Sequence, residues 1–241
     1  MLKEIVEHKL KQMNIEIFYK HEVDKISRES DFLTISFLNN NKKLKTNVVY
    51  NCTYAQINQI LMRSGLNLLP LEYELTEMLI LRVPRTLRSM AITVVDGPFF
   101  SLMPYPSENL HTLSHVLHTK HYNWDDSNNI LGERIIPESN CKCMIQDSAK
   151  YIPDLLLSDY VKSIYEIKTR GVSLKNQKVP FIASHEIDGL YSVLGGKMDN
   201  VFELSNLFNL LDHKKMIKGW NSNVKFVRPT SKNANSKPKL N

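Results

Sequence analysis

The stretch Leu190–Leu211, LYSVLGGKMDNVFELSNLFNLL, reads as a buried strand, a glycine turn and a helix in immediate succession. Leu190, Tyr191, Val193 and Leu194 form a short apolar run bounded by Gly189 and Gly195, the pattern of a strand covered on both faces. From Val201 the apolar residues Leu204, Leu207, Phe208 and Leu211 follow at the spacing of one helical face, and Asp199 stands where an N-cap belongs. Gly195 and Gly196 carry no Cβ, so backbone there can approach a ligand closely, and the free N–H groups of a helix start present partial positive charge to it. Two readings follow: a turn that holds an anionic ligand edge, or a plain Gly-Gly connection between strand and helix.

Working outward, the 241 residues hold one good core or two modest subdomains, and 42% hydrophobic with 23% charged residues is ordinary globular composition. The net charge of +6 is unevenly spread: residues 222–241 hold five basic residues and no acid, and the remainder nearly cancels. That tail, ending SKNANSKPKLN, reads as a disordered, solvated terminus, so neither nucleic acid nor a membrane is expected as a partner. Cys52, Cys141 and Cys143 cannot all pair, which favours a reducing compartment. With no signal peptide and no apolar run long enough to span a bilayer, the expected location is the cytosol.

Upstream, Leu2, Ile5, Val6, Leu10 and Met13 mark an amphipathic helix already under way at residue 1. Ile15–Tyr19, HEVDKIS and DFLTISF read as strands, NNNKK as a hairpin loop, Asn47–Asn51 as another strand, and Ala55–Leu61 as a helix ending near Gly65. From Leu71 to Arg170 the strand-like segments are longer and turn-punctuated, which predicts a large antiparallel sheet interrupted by a helix near 137–151.

The motif LGGKMDNVFEL, taken with this order of segments, resembles the closing motif of the FAD-dependent oxidoreductases related to D-amino-acid oxidase, glycine oxidase and glycerol-3-phosphate dehydrogenase. DGPFFSLMPYP, LSHVLHT and the run from TRG to GLYSVLGGK are similar to the substrate-sheet strands and the final approach to the closing glycines in that family. The resemblance implies an α/β (α+β) fold: a partial FAD-binding βαβ-type domain with a large antiparallel substrate-binding sheet inserted into it. Its expected parts are 1–69 and 186–221 for the FAD-binding domain, 70–185 for the sheet and 222–241 for the tail.

It also implies FAD as cofactor, held by Gly195, Gly196, Lys197, Met198 and Asp199 and by the turn containing Thr53 and Tyr54. Asn51-Cys52-Thr53-Tyr54 departs from the family's Asn-Ala-Thr-Gly-like pattern at Tyr54, where a bulky residue opposes close backbone approach. The family opens with a Gly-x-Gly-x-x-Gly turn for the pyrophosphate, and no such fingerprint occurs in this sequence. The expectation is a C-terminal part whose N-terminal half is missing or supplied by a second chain, leaving a strand edge open to association.

Arg170 is expected to bind a substrate anion or, alternatively, to sit in a surface ion pair. Tyr105, in LMPYP, is read either as a hydrogen-bond donor to a small-molecule substrate or as an amphipathic core-edge residue. His111, His115 and His118 would share a face and ligate a metal on a helix, but their surroundings favour a strand, on which His118 faces away from the other two. No carboxylate or cysteine at suitable spacing completes a site, so no metal is assigned, and His118 is placed at the substrate cavity instead. CKC at 141–143 is too tight for a redox or zinc motif.

The leading reading is therefore the C-terminal part of an FAD-dependent oxidoreductase that takes hydride from a small amine or hydroxy substrate. The alternatives are a non-catalytic remnant or interaction module without flavin, and a His-cluster metalloenzyme.

Overall fold

The computed structural model describes residues 2–97, 99–105, 108–126, 137–171, 181–195, 201–202, 204–205, 217–218 and 225–227. Helix α1, Leu2–Gln12, is amphipathic yet buries none of its residues, leaving Leu2, Ile5 and Val6 exposed. Ile15–Tyr19, expected as a strand, is irregular. Among the described residues no strand runs beside it, and without a partner an alternating sequence has no ladder to join.

The strands β1 (Val23–Glu29), β2 (Phe32–Phe37) and β3 (Asn40–Thr46) form an antiparallel meander. Ile26 and Leu33 point into the core from it. The NNNKK segment, expected as a loop, is mostly strand. The turn is shorter, at Leu38-Asn39, and β3 pairs with β2 as far as Phe37↔Asn40. β3 is an edge strand, where Asn and Lys in solvent cost little and Lys43 reaches Glu29 at 3.2 Å.

β4 (Val49–Asn51) leads through a 3-10 turn, Tyr54–Gln56, into α2 (Ile57–Arg63). Gly65 follows with φ 70, the left-handed conformation that stops a helix. Ile57, Ile60 and Leu61 bury the inner face of α2.

The largest sheet is antiparallel and runs in the order β10 (Asp159–Gly171), β5 (Leu71–Arg82), β8 (Leu110–His115), β7 (Phe100–Tyr105), β6 (Ile92–Val94). β9 (Lys120–Asp125) shares the β8 edge of β5, pairing along Glu72–Thr76 where β8 pairs along Leu79–Leu81. Alternate residues of β5 supply two cores on one face of the sheet. Leu71, Tyr73 and Leu75 join the core beneath the meander and α2, whereas Leu79, Leu81 and Val83 join a second one under α3 (Cys141–Ala149) and the 3-10 turn Pro153–Leu157.

Glu77 occupies the position between them and is fully buried. Its carboxylate accepts hydrogen bonds from Ser139 Oγ and Ser163 Oγ, from the Asn140 N–H at 2.9 Å and from His121 Nε2 at 2.9 Å. Burial pushes its pKa up, but these donors outweigh burial and hold it below the usual carboxylate value.

A third sheet has the order β13 (Ile217–Lys218), β14 (Lys225–Val227), β11 (Phe181–Ser184), β12 (Leu190–Leu194), β4. β12 is the strand read from the sequence, and it pairs in parallel with β4, Leu190↔Val49, Tyr191↔Tyr50 and Ser192↔Asn51. β11, which lies in the segment expected to form the antiparallel insertion, pairs with β12 and β14. Lys225–Val227, placed in a disordered tail, pairs with Ile182–Ser184, because the free flank of β11 offers backbone groups that side-chain composition does not reveal.

Mixed α and β structure with mainly antiparallel sheets is the fold class expected. No helix among the described residues is long and apolar enough to cross a membrane.

Gly189 carries φ 87 immediately before β12. Its carbonyl accepts the Val49 N–H at 2.8 Å, and a Cβ built on it would collide with the Asn47 carbonyl oxygen. Gly189→Ala adds left-handed strain to a backbone collision and is expected to destabilise the chain by at least about 2 kcal/mol in urea unfolding.

Candidate functional site

The parallel pairing of β4 and β12 sets two carboxyl ends side by side, Asn51 leading into Cys52-Thr53-Tyr54 and Leu194 into Gly195. In open sheets with parallel strands, that edge is where ligands bind. The first turn is built on Asn51, which is buried. Its Oδ1 accepts the Thr53 hydroxyl at 2.7 Å and the Thr53 N–H at 3.3 Å, while its Nδ2 donates to the Ile57 carbonyl at 3.3 Å. One amide side chain thus fixes both the strand end and the start of α2.

Tyr54 has φ 55, the left-handed conformation in which glycine is favoured. The bulky residue therefore does not abolish the turn that a glycine would make. Its ring is turned to the core, and its hydroxyl accepts the Thr169 N–H at 3.1 Å, near the end of β10. The strain is sustained by that bond and by packing. The same contact brings the turn against the antiparallel sheet, one residue from Arg170.

On the other strand Ser192 lies opposite Asn51 and is fully buried, with its Oγ 2.8 Å from His185 Nε2. Burial pulls the His185 pKa down to about 4, so the imidazole is neutral. On the reverse face Tyr50 and Tyr191 stack at 5.5 Å. Sequence reading gave no role to Ser192 or His185, and named Asn51 only as the first residue of the Asn-Cys-Thr-Tyr turn. A signal for its structural part was an Asn two residues before a Thr at a strand end, an Asx-turn pattern.

Of the expected cofactor residues, Thr53, Tyr54 and Gly195 are at this edge; Gly196, Lys197, Met198 and Asp199 lie outside the described residues. The expected substrate residues do not come together. Arg170 sits at the near end of the sheet, its Nε 2.7 Å from Glu72 Oε2 in an exposed ion pair. Tyr105 lies at the far end: it faces Leu110, whose neighbour His111 faces Leu81, nine residues from Glu72 along β5 and so about 30 Å away.

His118 is displaced differently. β8 ends at His115, and the following turn carries His118 back beside it, where it bonds to Asp147 Oδ2 at 2.6 Å under α3. His111, on the strand itself, turns its Nε2 to the Met90 carbonyl at 3.2 Å and takes no part in that cluster. Strand alternation was the right guide up to His115 and fails one turn later. A cavity of about 450 Å³, lined by Arg82, Arg88, Glu108 and His111 among others, also lies at the far end, away from the parallel strands.

Tyr54→Phe removes the acceptor of the Thr169 N–H and is expected to cost about 1 kcal/mol in denaturant unfolding, with the fold retained. For His185 the native pKa of about 4 lies below the ordinary 6.5, so between these pH values the unfolded chain holds a proton that the native chain lacks. Stability is therefore lost as pH falls from about 6.5 to 4, by about 3 kcal/mol in all. Urea midpoints measured across that range should flatten in His185→Gln.

No family model and no curated protein matches the sequence. Solved structures do match the fold. Glycine oxidase from Geobacillus kaustophilus superposes with a TM-score of 0.56 at 18% identity, over 81% of this chain and 48% of that one. L-proline dehydrogenase from P. horikoshii gives 0.58 at 16% identity, over 78% and 47%. NikD, an amino acid oxidase of nikkomycin biosynthesis, gives 0.53 at 10% identity, over 82% and 52%. The chain has the fold of the FAD-dependent oxidoreductases related to D-amino-acid oxidase, spanning about half the length of the solved proteins that it resembles.

Proposed function

We propose that this chain forms the substrate-side half of an FAD-dependent oxidoreductase that takes hydride from a carbon bearing an amine or a hydroxyl. The observation that carries this reading is the meeting of three chain ends: the Thr53-Tyr54 turn after β4, Gly195 after β12, and Thr169-Arg170 at the end of β10. Gly195 carries no Cβ and the backbone at Tyr54 is left-handed, and in this reading a flat ring system lies along this edge. Gly196, Lys197, Met198 and Asp199 continue the same edge in sequence and complete the cofactor contact in this reading.

FAD, when bound, supplies the acceptor for the electron pair. The chain's own part is orientation: Arg170, released from Glu72, holds a substrate carboxylate in a bidentate contact beside the turn. Tyr105 and His118 are too remote to share that task.

The pyrophosphate needs a Gly-x-Gly-x-x-Gly cradle that these residues do not contain, and a second segment, either an N-terminal half or a separate chain, supplies it. Among the described residues β4 ends its sheet, so that segment has a strand flank to join. The three unpaired cysteines suit a reducing cytosol.

One observation favours a second reading, a non-catalytic interaction module. The apolar residues Leu2, Ile5 and Val6 of α1 stand 61%, 51% and 46% exposed, as on a surface that meets another protein.

The deciding experiment is the visible spectrum of the purified chain after FAD addition and desalting, alone and with a co-expressed dinucleotide-binding half. Flavin bands are expected to be retained in the second case and lost on Gly195→Val. Flavin in neither case removes the oxidoreductase reading and leaves the interaction module.

A further inference from the structure

On the face of the large sheet covered by α3, well away from the parallel strands, three side chains meet that sequence spacing kept apart. β8 ends at His115, and the His118 N–H and Thr119 N–H bond back to the His115 carbonyl at 3.1 and 2.8 Å. That turn sets the His115 and His118 rings 4.8 Å apart, centroid to centroid. Asp147 comes to them from α3, its Oδ2 2.6 Å from His118 Nε2 and its Oδ1 2.6 Å from Lys150 Nζ. The ligand-capable atoms of His115, His118 and Asp147 all lie within 4.8 Å of one another.

His115 supplies a second, independent observation. It is 1% exposed, and its buried Nε2 has no hydrogen-bond partner among the described residues. Its Nδ1 accepts only the Leu117 N–H, at a long 3.2 Å. A buried imidazole with an unpartnered nitrogen, a second imidazole and a carboxylate at these distances are a donor set suited to a metal ion.

We propose that His115, His118 and Asp147, brought together by the β8–β9 turn and α3, form a binding site for a divalent transition metal of the zinc class. Two imidazoles and one carboxylate are a borderline nitrogen–oxygen set, which favours zinc or cobalt over calcium or magnesium. The ion takes the place of the hydrogen bond between His118 Nε2 and Asp147 Oδ2. Metal–ligand bonds of about 2.0–2.2 Å in a tetrahedron separate ligand atoms by about 3.3 Å, so the present 2.6 Å contact opens slightly and His115 Nε2 closes in.

On ligation each imidazole carries its ring proton on Nδ1, and the Leu117 N–H turns to solvent. The fourth position is open to water. The supports are in place: Asn140 Nδ2 donates to the His118 carbonyl at 2.9 Å, and Thr119 Oγ1 accepts the His115 N–H at 2.9 Å. A metal here clamps α3 onto the sheet.

The test uses the full chain, stripped with chelator and titrated with Zn²⁺ against a chromophoric competitor and with Co²⁺ by its visible bands. One equivalent is expected to bind and to raise the melting temperature. Asp147→Asn and His118→Gln should each weaken Zn²⁺ at least 10-fold. His111→Gln, on the same strand but outside the cluster, should leave it unchanged. Circular dichroism checks that each variant is folded, and the near-isosteric Asp147→Asn decides if His118→Gln is not. Absence of saturable uptake by the unaltered chain overturns the proposal, as does uptake that Asp147→Asn does not weaken.

Discussion

The parallel pairing of β4 with β12 is the contact on which the rest of the molecule depends. It joins Val49–Asn51 to Leu190–Ser192, so the whole antiparallel sheet lies in the loop that the pairing closes. Closing so long a loop costs entropy that three backbone pairings cannot offset. The offset comes from side chains: Leu190 and Leu194 of β12, Phe181 and Ala183 of β11, and Ile57 and Leu61 of α2 bury one another in a single core. The Val49 N–H bonded to the Gly189 carbonyl sets the register. Once that register exists, Asn51 and Ser192 become neighbours and the two turns share one edge.

The candidate site inherits its shape from this arrangement. Asn51 ties the strand end to the helix behind it, and Tyr54 ties the turn to the insertion through a single bond to Thr169. The antiparallel sheet and the edge formed by the two parallel strands are thus held together by a residue in a conformation it does not prefer. The short turn demands the left-handed backbone, and the tyrosine ring supplies an anchor that a glycine would lack. A position that looked in the sequence like a lost glycine works as a hinge pin.

What the sequence revealed and what it hid follow from the range of the forces involved. β12 was readable because its apolar run and its two flanking glycines are local, and α3 and the long strands β5 and β10 were readable for similar reasons. β3 was not, since an edge strand made of Asn and Lys is chosen by the partner's backbone. Ile15–Tyr19 failed in the opposite sense, with strand-like side chains and no pairing strand among the described residues. Asp147 stands 29 residues from His118, and nothing short of the packed helix places the two together. Arg170 and Tyr105 both suited a substrate by type, and only the strand register shows that the length of the sheet separates them.

Glu77 has a bearing on how the β5–β10 ladder finds its alignment. Its donors include Ser163 and Tyr165 from β10, and Tyr165 stands directly across from it. A slip of one residue between these strands would turn both side chains to the opposite face and leave an ionised carboxylate in the interior with part of its donors gone. Leucines on either side of Glu77 tolerate such a slip far better, because one apolar contact substitutes for another. The charge therefore acts as a proofreading element: it penalises misaligned ladders that hydrophobic burial alone would accept, and so narrows a long, otherwise repetitive strand pair to one alignment.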